Sequence, residues 1–492
     1  MSRVSEVIAP VVAVDRQGPD PLHKQIYDGF RTAIVLGNLR PGQRVPSSRS
    51  LGEELKISRL PVLNAYGQLT AEGYFESRTG AGTFVSESLP ESLTICKQTP
   101  PPAASISSGP RPIARRSLLL PEYQRPLWAG GWGAFSLHQP AFDHFPFPIW
   151  SGLLMRHSRS PRWGAIHNVD PLGSETFRQA ICDYLRTARA VRCEPGQVMV
   201  VSGSQHALEI SARVLLGKGS AIWMEEPGYW LARKVFSGAG CRMVPVPVDE
   251  EGLMVSAGIK RCPAARAVYV TPSHQYPLGA TMSAARRMQL LNWAQSAGSW
   301  IIEDDYDSEY RFESAPISSL QGLDGNERVI YIGTFSKVLF PSLRLGYLVI
   351  PRDLVGHFSA VRSAMDIFPP YLYQEAITDF MREGHFARHI RKMRLLYGER
   401  RTALVDSLRE RLGAKVKVHG AQAGMHLAIT LPEGFSDLEV ANRAAGKGLW
   451  LWPLSPSYLG KSPRQGLILG FGNTAVEEMP RAVSQLRAML ER

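Results

Sequence analysis

The reactive side chains of this sequence concentrate in the segment Gly333-Thr-Phe-Ser-Lys337-Val-Leu-Phe-Pro-Ser-Leu-Arg344-Leu-Gly-Tyr347. It follows an apolar run, residues 329–332, that is typical of a buried strand. Within eleven residues it combines the hydroxyls of Thr334 and Ser336 with the Lys337 amine and the Arg344 guanidinium. An amine can form an imine with an aldehyde, and hydroxyls and a guanidinium can hold a phosphate. The segment therefore predicts a site for an aldehyde that carries a phosphate, which is the chemistry of pyridoxal 5'-phosphate (PLP).

The composition is that of a globular protein without a membrane span. The chain has 492 residues, which predicts more than one domain, and it is 44% hydrophobic and 20% charged. No uninterrupted apolar stretch approaches the length of about 18 residues that a membrane span needs, and residues 1–14 lack signal-peptide features. The five cysteines show no Cys-x-x-Cys spacing. We therefore expect a cytoplasmic protein with neither a metal site nor a disulfide framework.

The net charge is +12 at pH 7, and a basic balance is often a sign of nucleic-acid binding. Residues 1–90, however, hold ten Lys or Arg and nine Asp or Glu, which is a net charge of +1. Because most of the excess lies elsewhere, net charge does not locate a DNA-binding domain, and local patterns have to do so.

Residues 21–85 combine apolar residues at helical spacing with clear turn signals. One helix is predicted over 26–34, a second opens at Pro46-Ser47-Ser48, and a third follows Ser58, a favourable N-cap residue. Two short strands come next: 74–77 and 83–86. Three short helices followed by a two-stranded hairpin describe a winged helix-turn-helix.

This unit resembles the GntR-type winged helix. The motifs that carry the resemblance are Pro21-Leu22, Gly37-x-Leu39-x-Pro41-Gly42, Val45-Pro46-Ser47-x-Arg49-x-Leu51, Ser58-Arg59, Ala65-Tyr66, Glu72-Gly73-Tyr74 and Arg78-x-Gly80-x-Gly82-Thr83-Phe84-Val85. The resemblance implies a set of DNA contacts: Arg49, Ser58, Arg59, Arg78 and Gly80. Arg59 would begin the recognition helix, where an arginine can bond a guanine bidentately in the major groove. Leu60-Pro61 stands where the family often has polar side chains, which predicts an unusual operator preference.

Strand and helix patterns alternate from about residue 131 onward. The candidate strands are 197–201, 221–224, 242–246, 267–271, 300–303, 329–332 and 346–349. Helical patterns such as 205–216 and 284–297 lie between them. This alternation predicts an α/β fold with a mostly parallel sheet that is covered on both faces. After about residue 370 a long charged helix and two short strands, 425–429 and 466–471, predict a smaller C-terminal lobe.

We therefore expect three parts in the chain: a winged helix-turn-helix over 1–86, a linker over 87–130, and the α/β domain over 131–492. The linker is rich in proline and carries a local positive charge from Arg111, Arg115, Arg116 and Arg125. A solvated tether is the favoured interpretation, and a segment that lies along DNA phosphates is the alternative.

The α/β domain resembles fold-type I PLP enzymes of the aminotransferase class, and the order of the domains resembles the MocR subfamily of GntR regulators. The resemblance implies that Lys337 holds PLP as an internal aldimine. Asp304 would pair with the pyridine nitrogen, with Asp305 as the alternative, and Tyr306 would bond the ring oxygen. Tyr229 would stack on the ring. The phosphate would be held by Ser204, Gln205, Thr334, Ser336 and Arg344.

Two positions depart from the aminotransferase pattern. Tyr276-Pro277-Leu278-Gly279 replaces the usual Asn-Pro-x-Gly. The stretch Gly466–Phe471 lacks the arginine that usually clamps the substrate carboxylate, and Arg464 is the nearest one in the sequence. Two other side chains could substitute for it: Arg233 and His426.

These features predict a transcription regulator that senses PLP or an adduct of PLP with an amine or amino acid. An active PLP-dependent aminotransferase with an auxiliary DNA-binding domain is the alternative. Because fold-type I sites lie at dimer interfaces, the resemblance implies a head-to-tail homodimer. Two winged helices would then bind a double-stranded DNA operator with paired half-sites.

Overall fold

The computed structural model describes residues 12–89, 112–114, 117–118, 120, 124–160, 167, 170–312, 317–460 and 463–491. The chain divides into two units, Met1–Pro112 and Ile113–Arg492. Most of the predicted linker, with Arg111, Arg115 and Arg116, lies outside the described residues, as do residues 1–11 and Cys96. The domain limits at 86 and 130 remain predictions.

The first unit is a winged helix-turn-helix, as predicted. Its elements are helices α1 (Leu22–Val35), α2 (Ser48–Glu54) and α3 (Arg59–Ala71) and the antiparallel strands β1 (Phe75–Arg78) and β2 (Gly82–Val85). Ser47 caps α2 by accepting the Ser50 N–H at 3.1 Å. Phe30, Tyr66 and Phe75 form the centre of the core, where each ring meets the other two edge to face.

The helices of the second unit are α4 (Phe147–Arg159), α5 (Glu175–Arg189), α6 (Ser204–Leu215), α7 (Trp230–Gly238), α8 (Val255–Arg261), α9 (Ala284–Ala297), α10 (Leu320–Leu323), α11 (Val355–Met365), α12 (Tyr371–Arg382), α13 (His385–Leu412), α14 (Asp437–Ala445) and α15 (Met479–Met489). The strands of its large sheet are β3 (Val198–Val201), β4 (Ala221–Glu226), β5 (Arg242–Asp249), β6 (Gly252–Leu253), β7 (Ala267–Val270), β8 (Trp300–Asp305), β9 (Val329–Thr334) and β10 (Gly346–Val349). None of the described helices is both long and apolar enough to cross a bilayer.

The large sheet has the order β3-β10-β9-β8-β7-β4-β5-β6. Strands β5, β4, β7, β8 and β9 run parallel, whereas β10 is antiparallel to both of its neighbours and β6 is antiparallel to β5. Side chains of α4, α5 and α12 form the core on one face, and those of α6, α7 and α11 form it on the other. The prediction of a mostly parallel sheet covered on both faces is therefore confirmed.

Strand β5 is longer than predicted because its prolines do not interrupt it. The prediction ended at residue 246, whereas the strand continues to Asp249. Pro245 and Pro247 are two residues apart, so both turn their missing N–H toward the same edge of the strand. The Pro247 carbonyl on that edge accepts the Met254 N–H at 2.9 Å, so β5 continues into its pairing with β6 although neither proline can donate.

The C-terminal lobe contains a second, antiparallel sheet of β11 (Lys417–His419), β12 (His426–Thr430), β13 (Trp452–Pro453) and β14 (Gly466–Gly470). Its order is β11-β12-β14-β13. Helix α13 joins the lobe to the rest of the second unit. Phe386 at its start lies in a core under the large sheet, while Tyr397 and Leu404 lie in the core of the lobe.

The strand directions place the predicted site residues at one edge of the large sheet. Strand β3 runs in the same direction as β9, because each is antiparallel to β10. The carboxyl ends of β3, β8 and β9 therefore share one edge, which is where open α/β sheets bind ligands.

Replacing Gly333 with alanine should destabilise the second unit. A Cβ at Gly333 would overlap the buried ring of Tyr347, which faces it across the β9–β10 pair. We expect the free energy of unfolding to fall by about 1–3 kcal/mol, as for other overpacked cores. Urea unfolding followed by tryptophan fluorescence measures the loss. Gly325→Ala is the matched control, because its Cβ would have no atom within 4 Å, and equal losses in the two variants would contradict the prediction.

Candidate cofactor site and DNA-binding surface

A buried cleft of about 340 Å³ opens at the carboxyl edge of the sheet. The residues that line it are His138, Ser204, Tyr229, Tyr269, Thr271, Tyr276, Asp304, Tyr306 and Lys337. Five of them are predicted site residues: Ser204, Tyr229, Asp304, Tyr306 and Lys337. The structure thus brings together side chains that lie on four separate segments of the sequence.

Lys337 lies in the loop that follows β9, and its amine is enclosed by the cleft. Burial lowers the pKa of this amine to about 7, although the nearby carboxylates of Asp307 and Asp304 act in the opposite direction. A large share of the amine is therefore neutral near pH 7. The neutral form is the nucleophile that attacks a carbonyl carbon.

Asp304 and Asp305 point to opposite faces of β8, because side chains alternate along a strand. Asp304 Oδ2 accepts a hydrogen bond from the Tyr269 hydroxyl at 2.8 Å, and Asp304 Oδ1 is buried with no partner among the described residues. Asp305 is bound by Arg189 Nε at 2.7 Å and by the Tyr331 hydroxyl at 2.5 Å. The cleft thus receives Asp304, while Asp305 is part of a buried ion pair.

The two carboxyl groups differ in acidity because their hydrogen-bond and charge partners differ. Burial raises the pKa of Asp304 to about 7. Burial would also raise the pKa of Asp305, but the Arg189 guanidinium and the hydroxyl of Tyr331 hold it below its ordinary value. Of the two carboxyl groups, the one that faces the cleft, Asp304, therefore has the less stabilised negative charge and the higher pKa.

Tyr306 is positioned by a group of buried polar residues that the sequence analysis does not assign. Its hydroxyl donates to the backbone oxygen of His274 at 2.9 Å, and its ring stacks on His426 with centroids 6.5 Å apart. His274 Nδ1 in turn lies 3.1 Å from Asp307 Oδ2, which also accepts the Met425 N–H at 3.2 Å. This group ties the loop after β8 to the start of β12.

The turn from β3 to α6 forms a cradle with Arg344. Gly203 has φ +88°, and a Cβ there would lie 3.3 Å from the Arg344 guanidinium. Arg344 donates to the Ser202 carbonyl at 2.7 Å. Ser204 and Gln205 begin α6, where the first backbone N–H groups have no partner within the helix. Such an end of a helix is suited to an anion.

The hydroxyls of the segment after β9 differ in their surroundings. Thr334 Oγ1 accepts the Ser336 N–H at 3.1 Å, which shapes the turn before Lys337. Ser336 Oγ is buried with no partner among the described residues. A buried hydroxyl without a partner costs free energy unless a ligand completes it.

The residues present fit PLP. An aldehyde would meet the Lys337 amine, a ring nitrogen would complete Asp304 Oδ1, and a phosphate would complete Ser336 Oγ and the N-terminus of α6. Asp304 Oδ1 and Ser336 Oγ are buried without a partner among the described residues, and the first N–H groups of α6 have none within the helix. The donor set therefore matches the three polar parts of that cofactor.

On the first unit, the candidate DNA contacts lie at the starts of α2 and α3 and in the hairpin. Arg59 is the first residue of α3, and its Nε donates to Ser48 Oγ at 3.0 Å. Ser58 holds the N-cap position, but its hydroxyl makes no capping bond. The side chains of Leu60 and Leu63 are exposed beside Arg59.

Arg78 and Gly80 lie on the β1–β2 hairpin. The Arg78 guanidinium is 3.1 Å from Glu87 and stacks over the Phe84 ring at 4.9 Å. Gly80 has φ +77° in the turn, with open space around its Cα. Arg49, in the first turn of α2, completes the set that the sequence analysis proposes.

Two family descriptions match the chain: "Bacterial regulatory proteins, gntR family" over residues 22–85 and "Aminotransferase class I and II" over residues 164–457. The probable rhizopine catabolism regulatory protein MocR of Rhizobium meliloti is 38% identical, over 97% of this chain and 95% of that protein. The pyridoxine biosynthesis transcriptional regulator PdxR of Corynebacterium glutamicum is 30% identical, over 94% of both chains. This chain belongs to the MocR-type GntR regulators.

The fold of this MocR-type regulator is also similar to that of solved aminotransferases. The multiple substrate aminotransferase of Thermococcus profundus is 25% identical and superimposes with a TM-score of 0.71, over 77% of this chain and 97% of that one. The match confirms the fold-type I architecture of the second unit, whose family is PLP-dependent.

Of the positions that depart from the aminotransferase pattern, one lines the cleft and the other contributes to the cluster that packs with it. Tyr276 lines it, and its buried hydroxyl has no partner among the described residues. Ile468 of β14 is fully buried in a cluster with Tyr276. Arg233 donates to the Pro456 carbonyl, and His426 packs on Tyr306. Neither side chain is among those that line the cleft.

Three residues of this MocR-type cleft are absent from the sequence-based set: His138, Tyr269 and Thr271. Tyr269 and Thr271 lie two residues apart in the predicted strand 267–271, so the alternation of that strand offers a signal for both. His138 lies in a loop, and no sequence pattern places it near Lys337.

The Asp305→Asn variant should be much less stable than Asp304→Asn in cofactor-free protein. Removing the charge of Asp305 leaves the buried Arg189 guanidinium without its counter-ion, which costs about 3–5 kcal/mol. An asparagine at 304 still accepts from Tyr269, so little stability should be lost there. Urea unfolding measures both.

The pH dependence gives a second check. The pKa of Asp305 is held below its ordinary value in the folded chain. Ionised Asp305 therefore stabilises the fold, and this stabilisation is fully present at any pH above the pKa of the same carboxyl in the unfolded chain. It should shrink as the pH falls through the folded-state value. A larger loss in Asp304→Asn than in Asp305→Asn would contradict this assignment of the two carboxylates.

Proposed function

We propose that this chain is a PLP-dependent, DNA-binding transcription regulator. Its winged helix binds operator DNA, and its aminotransferase-like unit holds PLP and responds to PLP or to PLP combined with an amine or amino acid. One observation carries the proposal: the Lys337 amine and the unpartnered Asp304 carboxylate oxygen share a buried cleft in a chain that also has a GntR-type winged helix.

The cofactor, when bound, supplies a carbonyl carbon and an electron-withdrawing ring. Lys337 would hold it covalently at that carbon, and Asp304 would accept a hydrogen bond from the ring nitrogen. Tyr306 would turn its hydroxyl proton from the His274 carbonyl to the ring oxygen, and Tyr229 would cover the ring face. The phosphate would be held by Ser204, Gln205, Thr334, Ser336 and Arg344.

Protonation of the two buried groups would follow from this arrangement. A proton on the ring nitrogen places a positive charge beside Asp304, which lowers the pKa of that carboxyl and keeps it ionised. Asp304 would in turn hold that proton in place. The Lys337 amine is already neutral in large part near pH 7, so it can react without prior loss of a proton.

Operator recognition would rest on the starts of α2 and α3. Arg59 and Arg49 would reach base edges or phosphates from the major groove, and the Ser58 hydroxyl, which makes no capping bond, would contact phosphate. Arg78 and Gly80 would bring the wing to the adjacent backbone. The exposed Leu60 and Leu63 suit contact with thymine methyl groups.

Regulation requires that the ligand bind two states of the protein with different affinity. We propose a cytoplasmic head-to-tail homodimer, in which two winged helices engage paired half-sites and cofactor occupancy changes how well they fit the operator. Light scattering at micromolar concentration tests the dimer.

The regulator hypothesis is tested by operator affinity with and without PLP. An operator is first selected from random duplex DNA by the PLP-loaded full chain, and affinity is then measured by fluorescence anisotropy at fixed salt. We expect PLP to change the affinity at least about fivefold, the lower end of typical couplings. In Lys337→Ala the change should vanish, together with the absorbance band of the bound cofactor.

The exposed Lys218 provides the matched control, because Lys218→Ala removes a lysine of the same unit that is not among the residues of the cleft. That variant should behave as the natural protein. Equal operator affinity of the natural protein under every ligand condition would reject the sensing function.

Arg59→Ala should weaken specific operator binding by about 1–3 kcal/mol and relax the preference at one base position, as expected for an arginine on a guanine. Anisotropy on single-base variants of the operator measures both effects. Lys24→Ala is the control, since Lys24 is exposed on α1 and paired with Asp20 at 2.8 Å. A uniform loss across all operator variants would instead assign Arg59 to the phosphate backbone.

A further inference from the structure

The backbone of His138 adopts a left-handed conformation beside Lys337. Its φ is +68°, a region that residues other than glycine enter at a cost of about 1–2 kcal/mol. Two residues shortly before it, Phe135 and Leu137, are buried, and the Phe135 N–H donates to Thr474 Oγ1 at 3.0 Å. The surrounding packing therefore maintains the strain and directs the imidazole into the cleft.

The His138 ring is uncharged in this position. It stacks on Tyr276 with centroids 5.9 Å apart and meets the Trp452 ring edge to face at 5.5 Å. Burial lowers the pKa of His138 well below its ordinary value, and the nearby Lys337 and His426 lower it further. A neutral imidazole offers one donor and one acceptor but carries no positive charge to balance an anion.

Tyr276 forms the wall next to His138 and packs in an apolar cluster. Ile468 faces Ala428 and Trp452 across the C-terminal sheet and packs with Tyr276 and Leu278. Among the described residues, those that line the cleft include no arginine. Arg344 is bound to the Ser202 carbonyl at the cradle. A carboxylate held against this wall would be buried without a cationic partner, which is strongly unfavourable.

We infer that the space beside Lys337 binds a primary amine that carries no carboxylate, and that His138 selects the uncharged substituent of that amine. The inference rests on the proposed function, because the amine must reach PLP held by Lys337. In the exchange, a C=N bond forms to the incoming nitrogen and the C=N bond to Lys337 breaks. Both protons of the amine pass to the Lys337 nitrogen, so no oxidant or other reactant is needed.

Matched pairs of ligands that differ only in the α-carboxylate test the ligand class. The pairs are tyramine with tyrosine, histamine with histidine, and isobutylamine with valine. PLP-loaded full chain is titrated with each, and binding is followed by absorbance and by calorimetry. We expect at least one amine to bind saturably, and each amine that binds to do so at least about tenfold more tightly than its amino acid, which corresponds to about 1.4 kcal/mol.

The inference would be overturned if the amino acids bound as tightly as their amines. It would also be overturned if neither member of any of the three pairs showed detectable binding. These failures differ from failure of the proposed function. If the proposed function failed, the cofactor band of the natural protein would be missing, or PLP would leave operator affinity unchanged before any amine is added.

The variant His138→Gly tests the role of the imidazole. Glycine adopts φ +68° without strain, so the variant should fold at least as well as the natural chain. We expect the cofactor band to be retained and the affinities of the responding amines to fall and converge. His138→Asn, which also tolerates the left-handed region and keeps a hydrogen-bonding group, should retain part of the discrimination.

Ile367→Gly is the matched control for relief of backbone strain, because Ile367 has φ +65° and its side chain is exposed. It should leave amine binding unchanged. Unaltered amine affinities in His138→Gly would overturn the assignment of His138.

Discussion

The buried ion pair between Arg189 and Asp305 organises the cofactor end of the sheet. The Arg189 guanidinium is bound to Asp305 at the end of β8, to Ser273 after β7 at 2.6 Å, and to the Ile317 carbonyl at 2.7 Å. It therefore joins α5 to three segments of the second unit. Because successive side chains of a strand alternate, holding Asp305 on one face fixes Asp304 on the other, where the cleft lies. An ion pair outside the cleft thus determines which carboxylate faces it.

The cleft buries polar and ionisable groups that protein interiors usually exclude or pair. It encloses an amine and a carboxyl whose pKa values both lie near 7, together with a hydroxyl that has no partner among the described residues. Such groups would destabilise a purely structural core. Their concentration at the carboxyl edge of the sheet is the pattern of a binding site, in which a ligand completes the missing interactions.

The sequence was sufficient for the features that depend on local pattern. Apolar runs predicted seven of the eight strands of the large sheet to within a few residues, all but the two-residue strand β6, and the segment after 329–332 placed Lys337 at a strand end. It could not choose between Asp304 and Asp305, because that choice depends on which face of β8 meets Arg189. It also missed His138, whose place in the cleft depends on a left-handed backbone and on long-range packing against Thr474.

Binding a ligand and catalysing its conversion place different demands on a cleft of this kind. Turnover of amino acids requires that a carboxylate be held in a fixed geometry, so that the reacting bond is aligned with the ring. A sensor requires only a difference in binding free energy between two states, and couplings of about 1–3 kcal/mol suffice. The cleft retains the groups that fit the cofactor, and its lining residue Tyr276 packs in a buried apolar cluster that contains Ile468. The proposed sensing function therefore asks less of this cleft than turnover of an amino acid would.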